Sequence, residues 1–204
     1  MKDTTGRNKE EEERFRQSLF TRWTAGLSPV DQRISIFSHI RDIPYAIVSE
    51  WRNTDDIIRL MVTEDRGWCG PKHQLLIWMF GRLGIRIQPH YIPFRWQDQQ
   101  VRYPATLRAI VPFLPESTHL CCKAYLEQTW QLLDATWDPP LVRVGFPIND
   151  PWDGVSGTIP AVTVTDPDER RQNITPLRVS AGNRAEFVPL LNRWMEEVRS
   201  RKKE

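Results

Sequence analysis

The sequence contains little cysteine: three residues among 204, of which Cys121 and Cys122 are adjacent. Neighbouring residues on a strand point to opposite faces, so these two cannot easily share one disulfide partner. The cysteine content therefore gives no disulfide framework, and it favours a reducing compartment, the cytoplasm. A Cys-x-x-Cys pair is also missing, so Cys121, Cys122 and His119 do not form a zinc motif and we predict no metal.

Long hydrophobic runs are missing as well. No stretch approaches about 18 uninterrupted apolar residues, which predicts no membrane span. The start of the sequence lacks the apolar core of a secretory signal. Gly-rich phosphate loops and nucleic-acid motifs are absent, and a net charge of +2 gives little attraction to nucleic acid or membrane. We predict a soluble, cytoplasmic protein without a cofactor.

What the sequence does contain is typical of one folded unit. Apolar residues make up 40% of the chain, and tryptophan occurs nine times, which indicates a thick core or a cleft walled by indoles. We expect an N-terminal helical extension at residues 1–27 and the core at 28–142. Residues 143–204 are expected to add Pro/Gly-rich wrapping loops and an amphipathic C-terminal helix to the same unit.

The third cysteine, Cys69, occupies a position suited to chemistry. Gly67 and Gly70 flank the Trp68–Cys69 pair, and would let a substrate approach the backbone closely. Apolar residues then repeat at steps of three and four, which predicts a buried helix over residues 71–83. The start of a helix favours a thiolate and can hold an oxyanion. A lone cysteine is more often a small buried hydrophobe, so its placement alone leaves its role open.

A histidine and an aspartate follow in a pattern typical of a β-hairpin. Residues 119–126 and 130–136 are predicted strands, joined by a turn at 127–129. His119 opens the first strand and Asp134 lies late on the second, within a residue or two of facing positions. Across neighbouring strands, a carboxylate can fix the imidazole tautomer and support its charged form. Each residue taken alone is equally compatible with a structural role.

Together these elements resemble the transglutaminase-like superfamily. The matching stretches are RGWCGPKHQLLIWMFGRLGIRI and HLCCKAYLEQTWQLLDATWDPPL. They contain a Gly-x-Cys helix start, a His-headed strand and a Trp-x-x-x-Asp-x-Thr strand, and the resemblance covers residues 57–140. It implies an α+β papain-like fold, in which a helix carrying Cys69 packs on an antiparallel sheet carrying His119 and Asp134.

The resemblance also implies roles for individual residues. Cys69 would be the nucleophile, His119 its general base and acid, and Asp134 the residue that orients the imidazole. The family's additional oxyanion donor has no unambiguous match in this sequence, and Trp68 and Trp51 are its candidates.

Two further residues are candidates for the lining of the substrate cleft, His73 and Trp137. His73 lies four residues after Cys69 on the same helical face, so it could be a rival base. The helix axis directs it away from a sulfur at the helix tip, and we expect it to line the core or the cleft floor. The family's His-x-Trp strand pattern is broken here, because Cys121 replaces the aromatic residue. This departure motivates an alternative to an enzyme: a catalytically inactive module of this fold that binds other proteins.

The function implied by the resemblance is thiol-dependent acyl transfer on a protein, peptide or amide substrate, through a thioester on Cys69. Water as the acceptor would give hydrolysis, and an amine would give transamidation. A reducing compartment and the lack of a calcium-loop signature favour hydrolysis. The Arg-Gly-x-Cys stretch is also similar to arylamine N-acetyltransferases, which share the triad, although the 50-residue interval between Cys69 and His119 fits them less well.

Overall fold

The computed structural model describes residues 4–164 and 181–201, and it has an α+β architecture. The α-helices are α1 (Thr4–Thr24), α2 (Pro29–Asp42), α3 (Ile57–Thr63), α4 (Cys69–Arg82), α5 (Ala105–Ile110) and α6 (Ala181–Ser200). The strands are β1 (Ile87–Phe94), β2 (Ser117–Leu126) and β3 (Thr129–Leu133), and short 3-10 turns lie at Ser49–Trp51, Trp96–Asp98, Val111–Phe113 and Pro139–Val144. The α+β class predicted from the sequence is confirmed.

One layer of helices covers one face of the sheet. The apolar side chains of α4 follow the three- and four-residue spacing of a single helix face, and Leu75, Leu76, Met79 and Phe80 are fully buried. They pack in one cluster with side chains from α1, α2 and the sheet, including Leu19, Phe37, Cys122, Ala124 and Leu133. The helix that carries Cys69 is thus held against the sheet by its own apolar stripe.

The sheet is antiparallel with the order β1-β2-β3. β2 and β3 form a hairpin in which Leu126 pairs with Thr129. The two turn residues, Glu127 and Gln128, have φ angles of 44° and 65°. Two positive φ angles match the right-handed twist of the flanking strands. The predicted turn is therefore confirmed.

The end of β3 differs from the prediction. The strand stops at Leu133, so Asp134 follows it by one residue instead of lying within it. The reason is a change of partner, because the Asp134 N–H donates to the Thr158 hydroxyl at 2.8 Å instead of to a strand. Residues 145–164 contain no strand, and this stretch of the predicted wrapping loops lies against the end of β3.

The opposite face of the sheet packs in a second cluster. Cys121 lies there with Trp137, Phe146 and side chains of α6 such as Leu191 and Trp194. His119 is two residues from Cys121 on β2 and points to the same face. Within residues 4–164 and 181–201, no helix is long and apolar enough to cross a membrane.

Candidate active site

Cys69 is the first residue of α4, immediately after the extended N-cap residue Trp68. The chain reaches this helix start through a bridge between Gly67 and Tyr45. In that bridge, the Gly67 N–H donates to the Pro44 carbonyl at 3.0 Å. The Cys69 side chain is half-buried. Because the first N–H groups of a helix have no partner within it, the thiol lies beside donors that are directed toward a negative charge.

The flanking glycines serve the packing of the protein itself. A Cβ atom on Gly67 would lie 2.6 Å from the Met61 side chain, and one on Gly70 would lie 2.9 Å from Nε1 of Trp68. Both glycines therefore leave room for neighbouring side chains. The expectation that they make space for a substrate finds no support in these contacts.

His119 and Asp134 are joined by a hydrogen bond. Nε2 of His119 lies 2.8 Å from Oδ2 of Asp134, and both side chains are almost completely buried. The other ring nitrogen, Nδ1, is left for a second partner, and Cys69 lies close enough to this imidazole to influence its pKa. His119 and Asp134 are therefore directly paired, and Cys69 lies beside His119 at the same site.

Asp134 accepts further hydrogen bonds that fix its carboxylate. The Thr136 hydroxyl donates to Oδ1 at 2.6 Å, and the Ala161 N–H donates to Oδ2 at 2.7 Å. Burial alone would favour the neutral acid, but the charge of His119 and the hydrogen bonds with His119 and Thr136 lower the Asp134 pKa to about 2. The carboxylate is consequently ionised and immobile at neutral pH.

The same pairing controls the charge of His119. Burial opposes protonation of this imidazole, whereas the Asp134 carboxylate and the contact with Cys69 favour it, and the His119 pKa rises to about 10. His119 therefore carries a proton at neutral pH. A charged imidazole beside a cysteine favours the thiolate of that cysteine.

His73 lies in the buried interior, with its Nε2 3.5 Å from Oδ1 of Asp134. Its side chain is 0% exposed. The Nδ1–H group donates to the Cys69 carbonyl at 2.8 Å, and Nε2 accepts from the Ala135 N–H at 3.0 Å. Burial lowers the His73 pKa to about 4, so the ring is neutral at pH 7. Both ring nitrogens are used to tie the start of α4 to the residue that follows Asp134.

The preceding residue, Lys72, makes a parallel connection. It is fully buried, and its Nζ donates to the Arg41 carbonyl at 2.9 Å and to the Thr136 carbonyl at 2.8 Å. Burial lowers its pKa to about 7. Lys72 and His73 thus fix the first turn of α4 onto residues 135–136, which sets the position of the thiol relative to the carboxylate.

A cavity of about 530 Å³ opens at the thiol. Its wall includes Cys69 and His119 together with the aromatic side chains of Tyr45, Trp68 and Trp137. Trp137, an expected cleft residue, is among these lining side chains. Its indole N–H donates to the Ala161 carbonyl at 2.7 Å, which holds the ring in the cavity wall.

A second cavity of about 830 Å³ adjoins the first and shares Arg52 and Arg184 with it. Trp51 lines only this second cavity, where Arg66 lies over its ring, and its ring centre is 6.5 Å from that of Trp68. Trp51 is therefore absent from the cavity wall that contains Cys69. Trp68, which lines the first cavity, remains a candidate donor.

One group of side chains has the chemistry of metal ligands. Donor atoms of His119, Cys121 and Asp134 all lie within 4.8 Å of one another. Cys121 has a protein partner, the His90 carbonyl, at 3.5 Å. Burial and the charge of Asp134 raise the Cys121 pKa, and this opposes the thiolate that a metal would require. The group fits a hydrogen-bonded network better than a metal centre.

Comparison with known proteins adds little to this geometry. Neither protein-family models nor curated proteins match the chain. Among solved structures, the chain is similar to that of a "putative cysteine protease" from Cytophaga hutchinsonii, with a TM-score of 0.42 and 18% identity. The match covers 65% of this chain and 40% of that protein, so the chain spans less than half of its length. Any functional argument therefore depends on the site itself.

Several contributors to the site were not predicted from the sequence, among them Lys72 at the start of α4. Thr158 and Ala161 bind Asp134 through a hydroxyl and a backbone N–H, and Tyr45 lines the cavity from a position 24 residues before Cys69. No local pattern marks a backbone donor in a loop. For Tyr45, the Pro44–Tyr45 pair that follows α2 was a visible signal, but it indicates a turn and not a site.

Proposed function

We propose that this chain is a thiol acyl-transfer enzyme of the transglutaminase-like kind, in which Cys69 attacks an amide or peptide carbonyl. The observation that supports the proposal is one cavity wall that contains both the Cys69 thiol and the His119 imidazole. Asp134 lies 2.8 Å behind that imidazole. A nucleophile, a base and an orienting carboxylate in this order are the requirements of triad chemistry.

The reaction follows from the charges of these groups. The Cys69 sulfur forms a bond to the carbonyl carbon, and the oxygen takes up the negative charge. His119, protonated at neutral pH, gives its proton to the departing amine as the C–N bond breaks, which leaves a thioester. Asp134 keeps the imidazole in one orientation throughout. In the second half of the reaction, neutral His119 removes a proton from the acceptor that attacks the thioester.

Water is the acceptor that we favour, so the outcome would be hydrolysis. The cavity at Cys69 opens to solvent beside the exposed side chains of Arg52 and Arg184, and water can enter it. The aromatic walls and the adjoining second cavity suit a peptide or protein segment longer than a single residue. Transamidation would require an amine that competes with this water.

The experiment is to trap the acyl-enzyme. The purified chain is treated with p-nitrophenyl acetate and measured by intact mass, beside the variants Cys69→Ala and Cys121→Ala. Wild type and Cys121→Ala are expected to gain one acetyl group on Cys69, and Cys69→Ala is expected to gain none. Adding a fluorescent primary amine to the wild type then shows whether the thioester passes to water or to the amine.

The outcomes separate the alternatives. A folded wild type that is never acylated would contradict the proposal and would favour a non-catalytic binding module. The N-acetyltransferase alternative would be favoured if acetyl coenzyme A acylates the chain, the acetyl group passes to an arylamine, and peptide amides do not acylate the chain. Acetylation that persists in Cys69→Ala would assign the nucleophile elsewhere.

A further inference from the structure

The Tyr45 hydroxyl is buried, and within the described part of the chain it has no hydrogen-bond partner. The Tyr45 side chain is only 4% exposed. Its hydrogen bonds run through the backbone, where the N–H donates to Asp138 Oδ1 at 2.8 Å and the carbonyl accepts from Arg199 at 2.9 Å. Across residues 4–164 and 181–201, no hydrogen bond to the Tyr45 hydroxyl is made. Buried polar groups are usually satisfied, so an unused donor of this kind calls for an explanation.

This hydroxyl belongs to the cavity of the thiol. Tyr45 lines the same wall as Cys69 and His119. Burial raises the Tyr45 pKa well above its ordinary value, and the negative charge of Cys69 raises it further, while Arg184 and Arg52 act in the opposite direction. All three of these residues also line the cavity. At neutral pH the hydroxyl therefore retains its proton and is a donor within electrostatic range of the sulfur.

The position of Tyr45 is fixed relative to the nucleophile. Its backbone bridges to Gly67, two residues before Cys69. Its ring packs against that of Trp137, with ring centres 4.4 Å apart. A donor that is already held in place costs no reorganisation when charge develops next to it, which is the condition for effective stabilisation of an oxyanion.

We infer that Tyr45 is a catalytic residue whose hydroxyl donates a hydrogen bond to the substrate oxygen while Cys69 attacks the carbonyl. This inference rests on the proposed acyl transfer. The oxygen gains negative charge as the C–S bond forms and loses it when the C–N bond breaks, and the Tyr45 proton stays on its own oxygen. The N–H groups at the start of α4 would supply the other donors.

The test compares two reactions of the same thiol in Tyr45→Phe. Acylation by p-nitrophenyl acetate passes through a tetrahedral oxyanion, whereas alkylation by iodoacetamide displaces iodide at a saturated carbon and forms none. The variant keeps the ring that packs on Trp137 and loses only the hydroxyl. The matched control is Tyr103→Phe, because Tyr103 is also buried but its hydroxyl donates to the Trp96 carbonyl at 3.3 Å.

In Tyr45→Phe, the rate of Cys69 acylation is expected to fall about 10²- to 10³-fold, the usual effect of losing one oxyanion donor. The alkylation rate and the melting temperature should stay at the wild-type values. In Tyr103→Phe, the acylation rate per folded molecule should be unchanged.

Two results would overturn the inference alone: an unchanged acylation rate in Tyr45→Phe, or an equal fall in acylation and alkylation, which would mean that Tyr45 acts on the thiol. If the wild type is alkylated at Cys69 but never acylated, the proposed function fails, and the role of Tyr45 fails with it.

Discussion

His119 and Asp134 are in contact although they do not face each other across the hairpin. The pairing of Cys122 with Leu133 would place Asp134 opposite Cys121, two residues from His119. Residues two apart share a face of a strand, and diagonal neighbours on one face are within reach of long side chains. The imidazole spans this diagonal, and its Nε2 lies 2.8 Å from Oδ2 of Asp134. The register of a five-residue strand thus decides whether the pair exists.

Asp134→Asn tests the work of the carboxylate. The amide keeps the shape of the side chain but removes the charge that supports protonated His119. Turnover of p-nitrophenyl acetate or of an amide substrate should fall by about 10²- to 10⁴-fold. This is the range expected when a catalytic imidazole loses its orienting carboxylate. The measurement is the rate per folded molecule, with the melting temperature recorded for the same sample.

The alternative account is structural, because Asp134 also accepts from Thr136 and Ala161. If that were its whole role, Asp134→Asn would melt at a lower temperature and keep a near-normal rate per folded molecule. This combination would count against the triad.

The three thiols should differ in reactivity toward limiting iodoacetamide at pH 6.5 to 7. Cys121 and Cys122 are 0% exposed, and burial raises the pKa of both. Cys69 lies in the cavity wall at a helix start. We expect peptide mapping to find the label on Cys69 first. Earlier labelling of Cys121 or Cys122 in the folded protein would refute the assignment of the nucleophile.

The protein should become less stable as the pH is lowered, because of His73. This histidine has a pKa of about 4 in the folded chain, below its ordinary 6.5. Between those values the unfolded chain binds a proton that the folded chain does not bind, so the free energy of unfolding decreases as pH falls from about 6.5 to about 4. His119 and Asp134 change their proton binding outside this interval, at higher and at lower pH respectively.

His73→Gln should therefore lower the melting temperature at pH 7.5 and flatten its dependence on pH in that interval. The matched control is His39→Gln, on the exposed face of α2, which should retain the wild-type slope. An undiminished slope in His73→Gln would show that another group causes the acid sensitivity.

The elements that carry the triad could be predicted because their signals are local. The apolar spacing of α4 and the positions of His119 and Asp134 around a tight turn are readable from consecutive residues. The loop residues that bind Asp134 were not predicted. Thr158 and Ala161 are 24 and 27 residues away from it in the chain, and their contribution depends on the path of a loop and not on residue type.

His73 illustrates the same limit in the core. Its spacing from Cys69 gave the correct helical face, but not the fact that Ala135 would approach that face and occupy Nε2. Whether a histidine on a helix lines a cleft or joins two backbone segments depends on what packs against it. Sequence periodicity alone does not contain that information.

The central claim is that His119 acts directly on the Cys69 thiol, and the pH dependence of Cys69 alkylation tests it most directly. Rates with iodoacetamide are measured from pH 5 to 10 for wild type and His119→Ala, with peptide mapping to confirm the labelled residue. In the wild type, the charged imidazole should favour the reactive thiolate. In His119→Ala, the profile should move to higher pH by about one unit or more, with equal rates at the alkaline end. Superimposable profiles would contradict the account.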